Sequence, residues 1–336
     1  MRAAAALLLF FLAGCATTHM HEIDALMQAY DGEVPGASLL VVRDGRAVVR
    51  RAYGLADVEQ HVKATPATNY RLASVTKQFT ATAILTLERD GKLRLDDPVR
   101  KWLPSLPAAT DAVTIQHLLT HTSGLIDYED LMPAGLSSQL HDIDVLHLLE
   151  SQDRTYFAPG SSYQYSNSGY ALLALIVERA SAMTFATFLR DRVFKPLGMN
   201  DTVAFEEGIS IVIHRAYGHS ASENGWRRTD QSLTSAVLGD GGVYSSIDDL
   251  QKWDAALYED RFLEAFVPRT KTDDPSVQYG YGWRITGDSV WHSGETIGFR
   301  NAIVRFPKRR LTVVILTNRN DPPPYKTALA IAELFR

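Results

Sequence analysis

The chain is short of cysteine, of long apolar runs and of positive charge. A single cysteine, Cys15, among 336 residues excludes an internal disulfide framework. The apolar run near the start, Ala3–Leu12, covers only ten residues, too few to cross a hydrocarbon core of about 30 Å as a helix. Thirty-four Lys and Arg stand against 39 Asp and Glu, a net charge of −5, so the chain carries no electrostatic footprint for a nucleic-acid backbone. No repeat of 20–50 residues and no low-complexity tract follows the first residues. With 46% apolar and 22% charged residues, the composition excludes a disordered, collagen-like or multi-span membrane protein. A chain of this length corresponds to about two domains, or one carrying an insertion. It can bury about three quarters of its unfolded surface without staples.

The start reads as an address. Arg2 precedes the apolar run and is the only charge before Glu22. A basic start, a short apolar stretch and small residues form an export signal over residues 1–14, to be left out of fold reasoning. The junction Leu12-Ala13-Gly14-Cys15 resembles a bacterial lipobox, in which the cysteine is acylated and becomes the mature N-terminus. An ordinary signal peptide ending near a cysteine is the alternative. The lipobox implies an exported, periplasm-facing lipoprotein, and by resemblance Ala16 directs it to the outer membrane. The membrane would then be a partner through the lipid anchor alone.

Two β-rich runs, 37–43 and 46–53, are joined by Asp44-Gly45, the dipeptide of a two-residue type I′ turn. A second pair, Phe299–Phe306 and Leu311–Thr317, is joined by Pro307-Lys308-Arg309-Arg310, and a terminal helix is expected from about Tyr325 to Phe335. Between the pairs the pattern is mostly helical. Val75, Phe79, Ala83 and Leu87 recur every four residues, which predicts one buried face of a helix over about 74–90. Residues Tyr170–Ala180 are apolar nearly all round, which predicts a central helix. Strands at both ends with helices between imply an α+β chain whose sheet is left and rejoined.

Three short motifs bear on chemistry. In Ser74-Val75-Thr76-Lys77, residues i and i+3 share a helix face with Cβ atoms about 5–6 Å apart, so the lysine reaches the serine hydroxyl. A hydroxyl becomes a nucleophile when an adjacent base takes its proton, and a lysine serves as that base where burial or positive neighbours favour its neutral form. Alone, the motif reads more simply as a helix N-cap serine with a solvated lysine. Tyr165-Ser166-Asn167 offers a phenol for proton transfer and an amide for substrate, or simply a helix cap. His292-Ser293-Gly294 lies on an expected strand, where glycine admits close approach, or it is a bulge with an incidental histidine. His117 and His121 have an i, i+4 metal spacing but lack the glutamate of His-Glu-x-x-His and a third ligand, so no metal is expected. Gly239-Asp240-Gly241-Gly242 lacks the Lys-Ser/Thr of a phosphate loop and reads as close backbone approach; no cofactor is expected.

In this order, the three motifs resemble those of the serine β-lactamase and penicillin-binding-protein superfamily, which combines Ser-x-x-Lys, Tyr-x-Asn and Lys/His-x-Gly. Leu118–Leu125, Leu197-Gly198-Met199 and Gly241–Ser246 are similar to that family too, and the resemblance covers about Pro35 to Leu334. It implies a β-lactamase/transpeptidase-like fold, an antiparallel sheet flanked by helices with an inserted all-helical subdomain. One hydrolase domain would span 22–336, with the sheet part about 22–90 and 236–336 and the helical insertion about 91–235. It implies an acyl-enzyme on Ser74, with Lys77 and Tyr165 sharing acid–base work. Asn167, His292, Ser293, Gly294 and Glu295 would bind substrate, and the N–H groups of Ser74 and Glu295 would form an oxyanion hole, about 3–4 kcal/mol per donor. His292 stands where many relatives have lysine, and a histidine is neutral or charged near pH 7 according to its surroundings. That variant is more similar to class C-like esterases and D-amino-acid peptidases than to efficient β-lactamases. The substrate is then a small ester, a D-amino-acid amide or a peptidoglycan-like peptide. A β-lactamase and a non-hydrolysing penicillin- or peptidoglycan-binding lipoprotein are the alternatives.

Overall fold

The computed structural model describes residues 19–336; the leader 1–14 and the lipidation residue Cys15 lie outside the described residues. Eight strands form one antiparallel sheet: β1 (Ala37–Arg43), β2 (Arg46–Tyr53), β3 (Thr270–Lys271), β4 (Gln278–Tyr279), β5 (Arg284–Thr286), β6 (Ser289–Thr296), β7 (Phe299–Phe306) and β8 (Leu311–Thr317). Their spatial order is β3-β4-β5-β6-β7-β8-β1-β2. The chain therefore leaves the sheet after β2 and returns at β3, and the two ends meet where Ala37–Arg43 pairs with Thr317–Leu311. The first hairpin turns through Asp44 and Gly45 with φ of 50° and 76°, the two positive values that a type I′ turn requires.

Both faces of the central strands are covered, which explains their unbroken apolar runs. Along β1, Leu39 and Val41 face a cluster with Ile23 and Met27 of helix α1 (19–27) and Ile331 of the C-terminal helix. Leu40 and Val42 face the larger cluster that holds Phe79, Tyr170 and Trp253. Each such aliphatic side chain contributes about 1.5–3 kcal/mol on burial. The larger cluster joins the sheet to helices α2 (Lys77–Arg89), α3 (Asp142–Glu150), α4 (Asn167–Ser181) and α5 (Ile247–Ala256), while α6 (Tyr325–Glu333) closes the other face. No single helix among the described residues is long and apolar enough to cross a membrane.

The part between β2 and β3 is helical in the main but not throughout. It carries a three-stranded ribbon of Tyr70–Arg71, Val243–Ser245 and Val203–Ala204, and a hairpin of His219–Ser222 with Gly225–Arg228. The short polar strands lack the apolar alternation that makes strands visible in sequence.

Candidate active site

Ser74 sits where the ribbon hands over to a helix. Leu72 N–H donates to the Val243 carbonyl at 2.8 Å, and Val243 N–H donates to Thr76 Oγ1 at 3.2 Å, so the ribbon grips both sides of the serine. Ala73 takes a left-handed φ of 51°, an uncommon conformation for a residue with a Cβ and one that concentrates at functional turns. A 3₁₀ turn, Ala73–Thr76, then leads into α2 with Lys77 as its first residue.

Lys77 is 0% exposed. Its ammonium donates to Ser74 Oγ at 3.1 Å, Asn167 Oδ1 at 2.9 Å and the Asp240 carbonyl at 3.0 Å, so each of its N–H bonds has an acceptor. Asn167 is the first residue of α4, whose cap Ser166 accepts from Gly169 N–H. Asp240 lies in the glycine-rich segment, which comes as close as its composition suggests. A Cβ at Gly239 would lie 2.2 Å from the Tyr170 carbonyl oxygen.

Tyr165 lays its ring over Lys77, with Nζ 4.9 Å from the ring centroid, and Arg284 approaches the same ring at 5.5 Å. The phenol oxygen is buried and has no hydrogen-bond partner among the described residues. His121 stacks against Tyr165 with centroids 4.3 Å apart, and its Nδ1 accepts the Ser166 N–H at 3.0 Å. The i, i+4 pair thus serves two structural ends, because His117 instead closes the cap of its own short helix with Thr114.

Strand β6 forms the opposite wall. A Cβ at residue 294 would fall 2.0 Å from the Leu72 carbonyl oxygen and 3.3 Å from Val75 Cγ2, so glycine alone lets β6 reach the nucleophile turn. Gly294→Ala must push strand and turn apart. It is expected to lower kcat/KM by about 10²-fold, the cost of an ångström-scale misplacement, and to lower the melting temperature as well, since overpacking against backbone costs about 1–3 kcal/mol. An unchanged kcat/KM would show that this contact does not set the site.

Two of the expected substrate-binding side chains are not at the cleft, for reasons of strand geometry. Successive residues of a strand face opposite ways. Ser293 turns with Trp291 toward a separate hollow bordered by Pro322–Tyr325. His292 turns inward, 1% exposed, with Nε2 3.0 Å from Tyr279 Oη and Nδ1 against the Ser293 carbonyl at 2.6 Å. Burial, then the Arg284 charge, hold its pKa well below the usual histidine value. The same happens to His121, through burial and then the Lys77 charge. His292 is therefore a neutral support behind the site, not a titrating cation facing substrate. Asn167 does line the cleft, together with Ser74, Glu129, Asp240 and Arg71, while Glu295 borders both the cleft and the Ser293 hollow, its carboxylate 3.5 Å from Arg300.

Glu129, Asp240 and Arg71 escaped the sequence reading. Glu129 Oε1 accepts from Asn167 Nδ2 at 3.1 Å, which fixes the amide so that Oδ1 faces Lys77. Asp240 Oδ2 accepts from Tyr128 Oη at 3.0 Å, and burial lifts its carboxyl to about 7 despite the Lys77 charge. Arg71 is buried, donating to Gln231 and to the Ser235 carbonyl. No spacing links these residues to the motifs. Only Asp240 carried a signal, its place among glycines.

A serine held against a buried lysine at a turn into a helix, beneath a strand that reaches it through glycine, defines a serine hydrolase. The chain belongs to the Beta-lactamase family, whose model matches residues 22–335. It is similar to penicillin-binding protein 4* of Bacillus subtilis, 33% identical over 317 residues that cover 87% of this chain and 70% of that protein. It is 29% identical over 319 residues to protein flp of Staphylococcus aureus strain MW2, covering 89% of this chain, and spans 63% of that protein's length. Among solved structures, the octameric penicillin-binding protein homologue from Pyrococcus abyssi superposes with a TM-score of 0.80 at 29% identity, over 96% of this chain and 77% of that one.

Proposed function

We propose that this hydrolase forms an acyl-enzyme on Ser74 and acts on esters or D-amino-acid amides, in preference to peptidoglycan-like peptides that end in a free carboxylate. The observation that carries the reading is the three-point coordination of Lys77. Once the ammonium has given a proton to solvent, the amine has two N–H bonds and one lone pair. With the N–H bonds on Asn167 Oδ1 and the Asp240 carbonyl, the lone pair points at Ser74 Oγ. Lys77 then takes the hydroxyl proton as Oγ bonds to the acyl carbon, and passes it on to the leaving group. Tyr165, packed on the lysine, shares in that proton transfer.

The cleft's charges support the substrate class. His292 supplies no fixed cation for a substrate carboxylate, and Glu129 places a carboxylate at the cleft, while the Arg71 guanidinium there is engaged by Gln231 and the Ser235 carbonyl. Both features favour neutral acyl donors over carboxylate-bearing β-lactams. The test is a panel: a short-chain chromogenic ester, D-alanine amide, a D-Ala-D-Ala peptide and a fluorescent penicillin. Turnover of the ester or the amide at least tenfold above penicillin is expected. Rapid penicillin opening would mark a β-lactamase instead, and stable penicillin labelling with no turnover of any substrate would mark a binding protein.

A further inference from the structure

An acyl-enzyme is released only if water is activated beside it, and the cleft holds a group suited to that task. The space next to Ser74 has a volume of about 50 Å³, room for a water molecule whose share of liquid volume is about 30 Å³. Glu129 borders this space on the 3₁₀ turn Tyr128–Leu131. Asp127 staples that turn to the start of α4. Its Oδ1 accepts from Glu129 N–H at 3.2 Å and its Oδ2 from Asn167 N–H at 2.7 Å. Glu129 Oε1 in turn accepts from Asn167 Nδ2, and Oε2 accepts no hydrogen bond among the described residues. The carboxylate is thus fixed at the cleft with one oxygen free. Asn167 separates it from Lys77, so it is not spent in holding the lysine.

Resting on the acyl-enzyme reading above, we infer that Glu129 is the general base of deacylation. Its carboxylate takes a proton from a water in the cleft while the water oxygen bonds to the acyl carbon on Ser74. The C–Oγ bond then breaks with its electron pair going to Oγ. The proton on Glu129 passes through cleft water to the Lys77 amine and from there, across 3.1 Å, to Oγ. One water is consumed, the acid leaves, and both residues return to their starting states.

The charges facing Glu129 fit this role. Partial burial and then Asp127 raise its pKa above the usual glutamate value, with Asp130 adding to the rise, while the Asn167 hydrogen bond and Lys77 oppose it. A base closer to neutral accepts a proton more readily. Asp240 is the rival carboxyl, and Arg71 and Glu295 are the other charged residues that border the cleft. Asp240 lies under Tyr128 and is buried, whereas Glu129 is exposed to the water it would activate.

Glu129→Gln separates the roles, because glutamine still accepts from Asn167 Nδ2 but takes no proton. With a chromogenic ester, the variant is expected to keep a burst of one product per enzyme at a rate within about threefold of wild type. Its steady-state rate should then fall about 10²–10⁴-fold, with acylated Ser74 accumulating by mass spectrometry. Wild-type deacylation should slow as the pH drops through the Glu129 titration, above the usual glutamate value, and the variant should lack that limb. Wild-type turnover in Glu129→Gln would overturn the inference, leaving Glu129 a support for Asn167. So would loss of the burst itself, or acyl-enzyme accumulating in Asp240→Asn but not in Glu129→Gln. Any of these with wild-type Ser74 still acylated leaves the acyl-enzyme reading standing, whereas no acylation of wild-type Ser74 overturns both.

Discussion

Replacing Ser74 with alanine is expected to lower ester turnover by about 10⁴–10⁶-fold and to leave the melting temperature within a few degrees of wild type. The magnitude follows from the way a nucleophile and its base act as a unit. Without the oxygen, Lys77 has no proton to take and the acyl group has nothing to bond to. The small effect on stability follows from position. Ser74 is partly exposed at the cleft, and its Oγ accepts only from Lys77, which keeps two other acceptors, Asn167 Oδ1 and the Asp240 carbonyl. Parallel assays of wild type and variant with the chromogenic ester, and a thermal melt of each, check both halves. Residual activity within tenfold of wild type would remove Ser74 from the mechanism.

Lys77→Ala is expected to cost activity nearly as much, about 10³–10⁴-fold, and to differ from Ser74→Ala in its effect on the fold. The sequence alone suggests little structural loss, since a first-turn lysine is ordinarily solvated. Here the side chain is fully buried. Its removal strands Asn167 Oδ1 and the Asp240 carbonyl, each worth about 1–3 kcal/mol when left unpaired, offset in part by no longer burying an ammonium. It also removes the charge that opposes the rise of the Asp240 and Glu129 carboxyls. Asp240 already has a folded pKa of about 7, above the unfolded value of about 3.9. A group raised on folding stabilises fully below its unfolded pKa and loses that contribution as pH climbs through the folded one. The variant's melting temperature should therefore fall further below wild type at pH 8 than at pH 5. Melts at the two pH values, beside the ester assay, decide the matter. A deficit independent of pH would contradict the coupling between Lys77 and the buried carboxyls.

The contrast between these variants shows where sequence reading succeeds. The Asp44-Gly45 hairpin and the helix bearing Phe79 and Ala83 were legible because their cause is local, a dipeptide with positive φ and a four-residue period. The pairing of Ser74 with Lys77 was legible for the same reason, being one helical turn. Asn167 came into view because its motif keeps company with the other two. The environment of His292 was not legible. Its neutrality depends on burial and on Arg284, which arrives on the adjacent strand β5, and strand register alone turns Ser293 away. Glu129 reaches Asn167 across 38 residues through a turn with no apolar period, so nothing in the sequence ties it to the site.

Turnover through a covalent bond at one oxygen, Ser74 Oγ, is tested most directly by peptide mapping of the trapped intermediate. Wild-type protein is quenched in acid during turnover of a slow ester, digested and sequenced by mass spectrometry. The acyl group should be found on Ser74, at up to one per chain, absent in Ser74→Ala and strongly reduced in Lys77→Ala. Turnover with the acyl group on another residue, or with no adduct while Ser74→Ala stays active, would contradict it.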